Sequence, residues 1–367
     1  MTSSPLHSRV RDLRQTRGWS QSRLGDQAGI TRQSLAAIEA GRSVPSTEVA
    51  LRLARVLGVS VDELFRLRDT TPDTVVVEAS GLGTGIPGRV RMARVTGRRF
   101  AYGLGSAAGH GGTPADGHGE PLPDGRIRVR SLPWEPPEPD LVVAGCDPAF
   151  GLVADHLRRE HDLEVLWLPA GSRAALEALE RGVVHVAGVH LWDDATGTYN
   201  RPWVERTVSF ATSRISFAVW EQALLLERGN PLGIGGIEDL TRSEVRFLNR
   251  EPGSGSRMLL ELELARRGLR GRAIRGFFET AADGHETVAG SVAAGAANAA
   301  VAIRAVGEAR GLHTLPLVEE PYELIVPDHF LELPAIEALL RTLSRPALQR
   351  QVEALGGYDV TSMGRPA

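Results

Sequence analysis

The stretch NREPGSGSRMLLELEL, residues 249–264, concentrates glycine, serine and arginine immediately ahead of an amphipathic helix. Ser254, Gly255 and Ser256 offer hydroxyls and unpaired backbone N–H groups at a helix N-terminus, a combination that suits an anion. Arg250 and Arg257 add charge-assisted donors. The plainer alternative is that the serines only cap the helix. A nucleoside-triphosphate loop is excluded, because GxxxxGK[ST] needs a lysine to reach the β/γ-phosphates. The chain has none: all 42 of its basic residues are arginine. Schiff-base chemistry on lysine is excluded for the same reason.

Other chemical residues assemble less well. The single cysteine, Cys146, excludes an internal disulfide and any multi-thiolate zinc site. It stands beside Asp147 at an expected strand-to-helix turn, where a thiol is either activated or, more commonly, buried and inert. His110 and His118 lie with Asp116 in a glycine-rich stretch, and His185 and His190 flank one strand. A loop metal site is one reading, solvated or packed histidines the commoner one. Trp192, Asp193 and Asp194 form a polar strand end able to meet a ligand or to cap a loop. Gly83, Gly85 and Gly88 spell GxGxxG, but RVRMARV follows with strand alternation where a dinucleotide fingerprint needs a helix. A glycine turn before a hairpin is the better reading. With no GxSxG and no HExxH, an enzyme is not expected, nor a cofactor or bound metal.

The elements that position these residues fall into three blocks. At 367 residues the chain exceeds one typical core, and 42% hydrophobic with 24% charged residues reads as ordinary globular protein. Residues 1–68 carry apolar positions at helical spacing, with Ser20, Thr31, Ser46 and Ser60 as N-caps, which predicts about five short helices. Residues 69–139 predict a β-hairpin turning at Thr96-Gly97 and a Gly/Pro-rich connecting loop over 105–125. Residues 140–360 alternate short apolar runs with helices, which predicts two α/β stretches around parallel sheets. The first residues hold no apolar leader and no run suits a bilayer, so a cytoplasmic protein without membrane contact is expected.

Charge is segregated. Residues 1–68 hold 11 arginines against 6 acids, within a chain of net charge −3. A basic module on an acidic body suits nucleic acid. Thr31 caps a helix whose exposed first turn is Arg32, Gln33 and Ser34, groups able to contact bases or phosphates, while Leu35 and Ile38 face the core. Gln21, Arg42 and Ser43 are placed for phosphate contacts. SQSRLGDQAGITRQSLAAIEAGRSVPS resembles the lambda-repressor-like (Xre-type) helix-turn-helix family over nearly this whole block.

The third block resembles another family. AGCDPAFGLVADHL, LPAGSRAALEALERGVVHVAGVHL, FLNREPGSGSRMLLELEL and YELIVP are similar to the periplasmic-binding-protein-like domain of type 2, related to molybdate, tungstate and phosphate binders. The resemblance covers about residues 140–345. It implies two lobes closing around a solute, with the 249–257 loop as an anion nest in one lobe. Ser172 opens the matching turn in the other lobe, and Tyr322 lies near the cleft. Asn298 stands where the family commonly has aspartate, which removes an acidic role there.

Together these imply a multidomain chain: an all-α helix-turn-helix domain, a small β-rich connecting region and a two-lobed α/β domain. The function implied is a one-component transcription regulator, a homodimer on double-stranded operator DNA. Its expected ligand is a small anion, molybdate- or tungstate-like, or a larger molybdopterin-like molecule. The alternatives are a molybdenum-cofactor-related binder and an enzyme acting on a small anionic substrate.

Overall fold

Four N-terminal helices begin at a hydroxyl residue whose side chain accepts a backbone N–H three residues on: Ser20 from Arg23, Thr31 from Ser34, Ser46 from Val49 and Ser60 from Glu63. Each hydroxyl satisfies a donor that the helix start leaves open. The helices so begun are α2 (Gln21–Ala28), α3 (Arg32–Glu39), α4 (Thr47–Leu57) and α5 (Val61–Leu64), after α1 (Val10–Thr16). Val10, Leu24, Leu35, Ile38, Leu53, Leu57 and Leu64 form their common core. Each fully buried leucine there contributes about 2 kcal/mol. Strands β1 (Leu6–Ser8) and β2 (Phe65–Leu67) pair antiparallel and tie the two ends together.

The computed structural model describes residues 6–41, 43–67, 74–84, 86–105, 113–133, 136–279 and 281–367. It divides into two units, Met1–Asp73 and Thr74–Ala367. Arg42, Gly85 and His110 lie outside the described residues.

The second unit opens with a closed barrel of β3 (Thr74–Thr84), β4 (Gly88–Val95), β5 (Arg98–Leu104), β6 (Gly117–Pro121) and β7 (Arg126–Ser131), in the order β3-β5-β4-β6-β7. The expected hairpin is β4–β5, and its turn holds Thr96 and Gly97 at φ 52° and 78°. That conformation suits the twist of the flanking strands. The 105–125 stretch differs from its expected loop, because 117–121 is a barrel strand. Two of its glycines, Gly117 and Gly119, sit at close approaches between strands: a Cβ on Gly119 would lie 2.6 Å from Val90 and 2.9 Å from Ile127. Asp116, buried just ahead of β6, accepts from Arg91 Nη1 at 2.6 Å.

The α/β body follows. Its first lobe has β8 (Leu141–Gly145), α6 (Phe150–His161), β9 (Val165–Pro169), α7 (Ser172–Glu180) and β10 (Val186–Val189). A short hairpin, β11 (Trp192–Asp193) with β12 (Thr198–Tyr199), precedes α8 (Arg201–Thr207). After β13 (Thr212–Leu226), the second lobe has β14 (Phe247–Arg250), α9 (Gly255–Arg266), β15 (Ala281–Ala282), α10 (His285–Ala293), β16 (Ala299–Ile303) and α11 (Arg304–Glu308). The chain returns through β17 (His313–Pro327), α12 (Pro334–Leu343), α13 (Pro346–Glu353) and β18 (Tyr358–Asp359).

One sheet runs through both lobes in the order β15-β14-β16-β13-β17-β10-β8-β9, with β18 beside β13. The strand–helix rhythm leaves residues 206–234 as a connection, but 212–226 is a 15-residue strand. It pairs antiparallel with the equally long β17, from Thr212↔Pro327 to Leu226↔His313. Each spans roughly 50 Å at strand rise, enough to serve both lobes. Strands β8, β9 and β10 are parallel in one lobe, and β14, β15 and β16 in the other. Their carboxyl ends, where α/β sheets bind ligands, carry Arg250 at the end of β14, with Cys146 and His190 just past β8 and β10. Among the described residues no helix is long and apolar enough to cross a membrane.

Candidate functional site

Two sites stand in the two units. In the first, Gly29 ends α2 in the left-handed conformation at φ 66°, and Thr31 starts α3 two residues later. A Cβ on Gly25 would meet the Ile30 carbonyl oxygen at 2.9 Å, so the turn folds tightly back on α2. Thr31, Arg32, Gln33 and Ser34 are exposed on the first turn of α3, and Leu35 and Ile38 are buried behind them. Thr31 and Ser34 also bond each other through their hydroxyls at 2.9 Å. Ser43 is exposed. Gln21 is engaged inside the bundle: its amide donates to Glu39 at 2.9 Å, and Glu39 holds Arg14 through both oxygens at 2.6 and 3.0 Å. Burial pushes the Glu39 carboxyl up, but hydrogen bonds from Arg14 and Gln21 together with the nearby arginine charges outweigh it and hold it below its usual range.

In the second unit a cavity of about 260 Å³ opens between the lobes. Cys146, Trp167 and Gly171 line it from the first lobe, Arg250, Asp283 and His285 from the second, and Leu82 from the barrel. Leu82 gets there because β3 loses register between Ala79 and Gly83, where Ser80 turns the chain by accepting from the Leu82 N–H at 3.1 Å.

The structure sorts the expected ligand residues. Arg250 lines the cavity and is 1% exposed, with Nε and Nη2 on the two oxygens of Glu251 and Nη1 on His285 Nδ1 at 2.9 Å. The others bond inside the protein. Ser254 donates to the Glu251 carbonyl at 2.9 Å, and Ser256 donates to Gln222 at 3.1 Å. Gly255 packs so closely on His190 that a Cβ would overlap its ring and carbonyl. Arg257 turns along α9 to Glu261 at 3.0 Å and sits over the Phe277 ring. Ser172 accepts from the His190 N–H at 3.1 Å. Tyr322 is 2% exposed, its ring packed at a tilt on Trp220 with centroids 4.6 Å apart. Trp192 lines a different cavity, of about 540 Å³, with Tyr199, Trp203 and Met258. Asn298 bridges Arg246 and Glu227 and so braces the lobe behind the cavity.

Sequence reasoning missed a buried polar cluster beneath the cavity. Cys146, His190 and His285 bring the thiol and a nitrogen from each ring within 4.8 Å of one another. His190 Nδ1 lies 2.9 Å from Glu320, which also accepts from Gln222 at 3.0 Å. Burial pushes the His190 pKa down, but Cys146 and Glu320 outweigh it and carry it to about 10. His285 goes the other way: burial, then Arg250 and His190, hold its pKa well below the usual value. Asp147, wholly buried, is raised to about 7 by burial, against hydrogen bonds from Tyr358 and the Ala149 N–H. His285 Nε2, Asp147 Oδ2 and Trp220 Nε1 find no hydrogen-bond partner among the described residues. Unsatisfied groups gathered in one place are a functional signal. The sequence did carry one clue, Cys146-Asp147 at a strand-to-helix turn; nothing local pointed to Glu320.

The chain thus joins a capped helix-turn-helix module of the kind found in transcription regulators to a two-lobed α/β body of the ligand-binding kind, with a cavity between its lobes. The chain belongs to the PBP superfamily. The PBP superfamily domain matches residues 154–344, and a helix-turn-helix family matches residues 10–64. YvgK, an uncharacterised protein of Bacillus subtilis strain 168, is 28% identical over 228 residues, covering 62% of this chain and 73% of its own. YgzD, an uncharacterised HTH-type transcriptional regulator of the same organism, is 38% identical over 64 residues, 17% of this chain and 97% of its own. Among solved structures, a substrate-binding protein from Clostridium perfringens with bound phosphate is similar at TM-score 0.47 and 13% identity. That match covers 59% of this chain and 98% of the other.

Proposed function

We propose that the chain is a one-component transcription regulator: residues 1–68 bind operator DNA as a homodimer, 140–360 sense a small anion, and 69–139 connect them. Arg250 carries the ligand half of this reading. It is a buried guanidinium on the wall of an inter-lobe cavity, and the acid that neutralises it, Glu251, is its own neighbour in the loop. An incoming anion replaces Glu251 on Arg250 and gains a bidentate, charge-assisted pair. Molybdate and tungstate head the panel by the family resemblance, ahead of phosphate. The DNA half is supported by the exposed Arg32, Gln33 and Ser34 on α3.

Only a difference in ligand affinity between two conformations can reach the DNA. Footprinting across the protein's own promoter, with and without molybdate, tungstate and phosphate, tests the reading. A protected pair of half-sites about one helical turn apart, altered by one anion, is expected. No sequence preference under any condition would overturn the regulator. Equal anion affinity with and without operator would overturn the coupling.

A further inference from the structure

We propose that Cys146, His190 and Glu320 form a nucleophilic thiol relay at the floor of the inter-lobe cavity, and that the cavity takes a small 2-oxo acid, captured reversibly through its carbonyl carbon. The carboxylate half rests on the proposed anion site at Arg250; the thiol half stands independently.

Cys146 follows β8 and lines the cavity although only 6% exposed. Glu320 occupies His190 Nδ1, which leaves Nε2 for the thiol. Nucleophile, base and orienting carboxylate thus come from the β8–α6 turn, the end of β10 and β17, the order of roles that activates a thiol. Burial lowers the His190 pKa, but the side chains of Cys146 and Glu320 carry it to about 10, so the ring is an imidazolium at neutral pH.

His285 decides between a cation and an oxyanion. Its Nδ1 receives N–H donors from Arg250 at 2.9 Å and from Ile303 at 3.3 Å. Arginine cannot accept, so Nδ1 carries the lone pair and Nε2 carries the proton. Nε2 therefore cannot ligate a metal, and the guanidinium 2.9 Å from the ring repels one. An unpartnered, buried N–H beside a thiol instead suits a developing negative oxygen.

The step balances without an outside reagent. The thiolate sulfur forms a bond to the carbonyl carbon while the C=O π pair moves to oxygen. His190 Nε2 gives its proton to that oxygen, leaving a hemithioacetal and a neutral imidazole; release reverses each transfer. His285 Nε2–H donates to the same oxygen, and Arg250 takes the carboxylate. The other ionisable groups against the thiol are Asp147 on the same turn, Tyr322 on β17 and Tyr358 on β18.

The test uses the full chain and [2-13C]glyoxylate, with acetate (no reactive carbonyl) and acetaldehyde (no carboxylate) as controls. A protein-bound thiohemiacetal carbon resonance is expected for wild type and is lost in Cys146→Ser. Glyoxylate also protects Cys146 from iodoacetamide at pH 7, read by intact mass, better than either control. Glu320→Gln slows alkylation roughly tenfold at that pH and moves its profile upward, which a merely packed thiol would not show. Equal protection by acetate and glyoxylate with no adduct overturns the covalent step and leaves the anion site standing. An adduct with acetaldehyde as stable as that with glyoxylate overturns the Arg250 half alone. Alkylation seen only in denatured protein, with no adduct, overturns the relay.

Discussion

Glu251 grips the guanidinium of the residue before it, Arg250, through both carboxylate oxygens, at 2.7 and 2.8 Å. One of those oxygens lies 3.4 Å from the place where a Cβ on Gly171, in the opposite lobe, would stand. An anion that bridges the lobes at Arg250 must displace this side chain. Glu251→Gln keeps the shape and removes the competing charge, so calorimetry should show anion affinity raised about tenfold. Without anion the variant should melt lower, because a buried guanidinium has lost its counter-charge, and should recover when anion is added. An unchanged affinity would mean that ligand does not meet Arg250.

Gly255 is the point where α9 of one lobe comes against His190 of the other, and no side chain fits between them. Gly255→Ala should push the lobes apart and loosen ligand binding by about 1–3 kcal/mol, the scale of an overpacked contact. Small-angle scattering should report a more open second unit, with the helix-turn-helix unit melting as before. A variant that closes and binds as the wild type does would sink this account.

Gln33 is exposed on the first turn of α3, the position from which recognition helices of helix-turn-helix modules present side chains to base edges, and the proposed DNA binding gives it that role. Gln33→Ala should relax base preference at one position, with a loss of about 1–3 kcal/mol on the preferred site. Thr31→Ala acts differently: it removes the cap of the same helix and costs about 1 kcal/mol of fold stability. Selection from randomised duplexes separates the two. If Gln33→Ala selects the wild-type sequence with undiminished preference, Gln33 does not read bases.

The contrast between Thr31 and Glu320 shows what was legible in the sequence. A helix cap is decided within four residues, so Thr31, Ser46 and Ser60 could be placed from spacing alone. Arg250 could be singled out because its loop carries a local signature. The fate of Ser256 could not, since its partner Gln222 lies 34 positions earlier, on strand β13. His190 and Glu320 are 130 positions apart and meet only because β10 and β17 are neighbours in the sheet. Gly117 and Gly119 misled for a related reason. Glycine in a run signals a loop until the crossing strands that need its missing side chain are known.

His185 offers a pH dependence free of the site's coupled groups. Its Nδ1 accepts from the Val142 N–H at 3.0 Å, its ring meets Phe330 edge-on at 5.1 Å, and burial lowers its pKa to about 4. The unfolded chain takes up that proton near pH 6.5, the folded chain only near 4, so between those values the unfolded state binds more protons. Stability must therefore fall as pH drops from about 6.5 to 4, by up to roughly 3 kcal/mol from this one group. Asn in its place can accept from the same N–H without titrating. Urea unfolding of wild type and His185→Asn across pH 4–7 should show the wild type losing ground to the variant as pH falls, with the gap constant above pH 7. Parallel curves over that window would mean that His185 is protonated in the folded protein as readily as in the unfolded one.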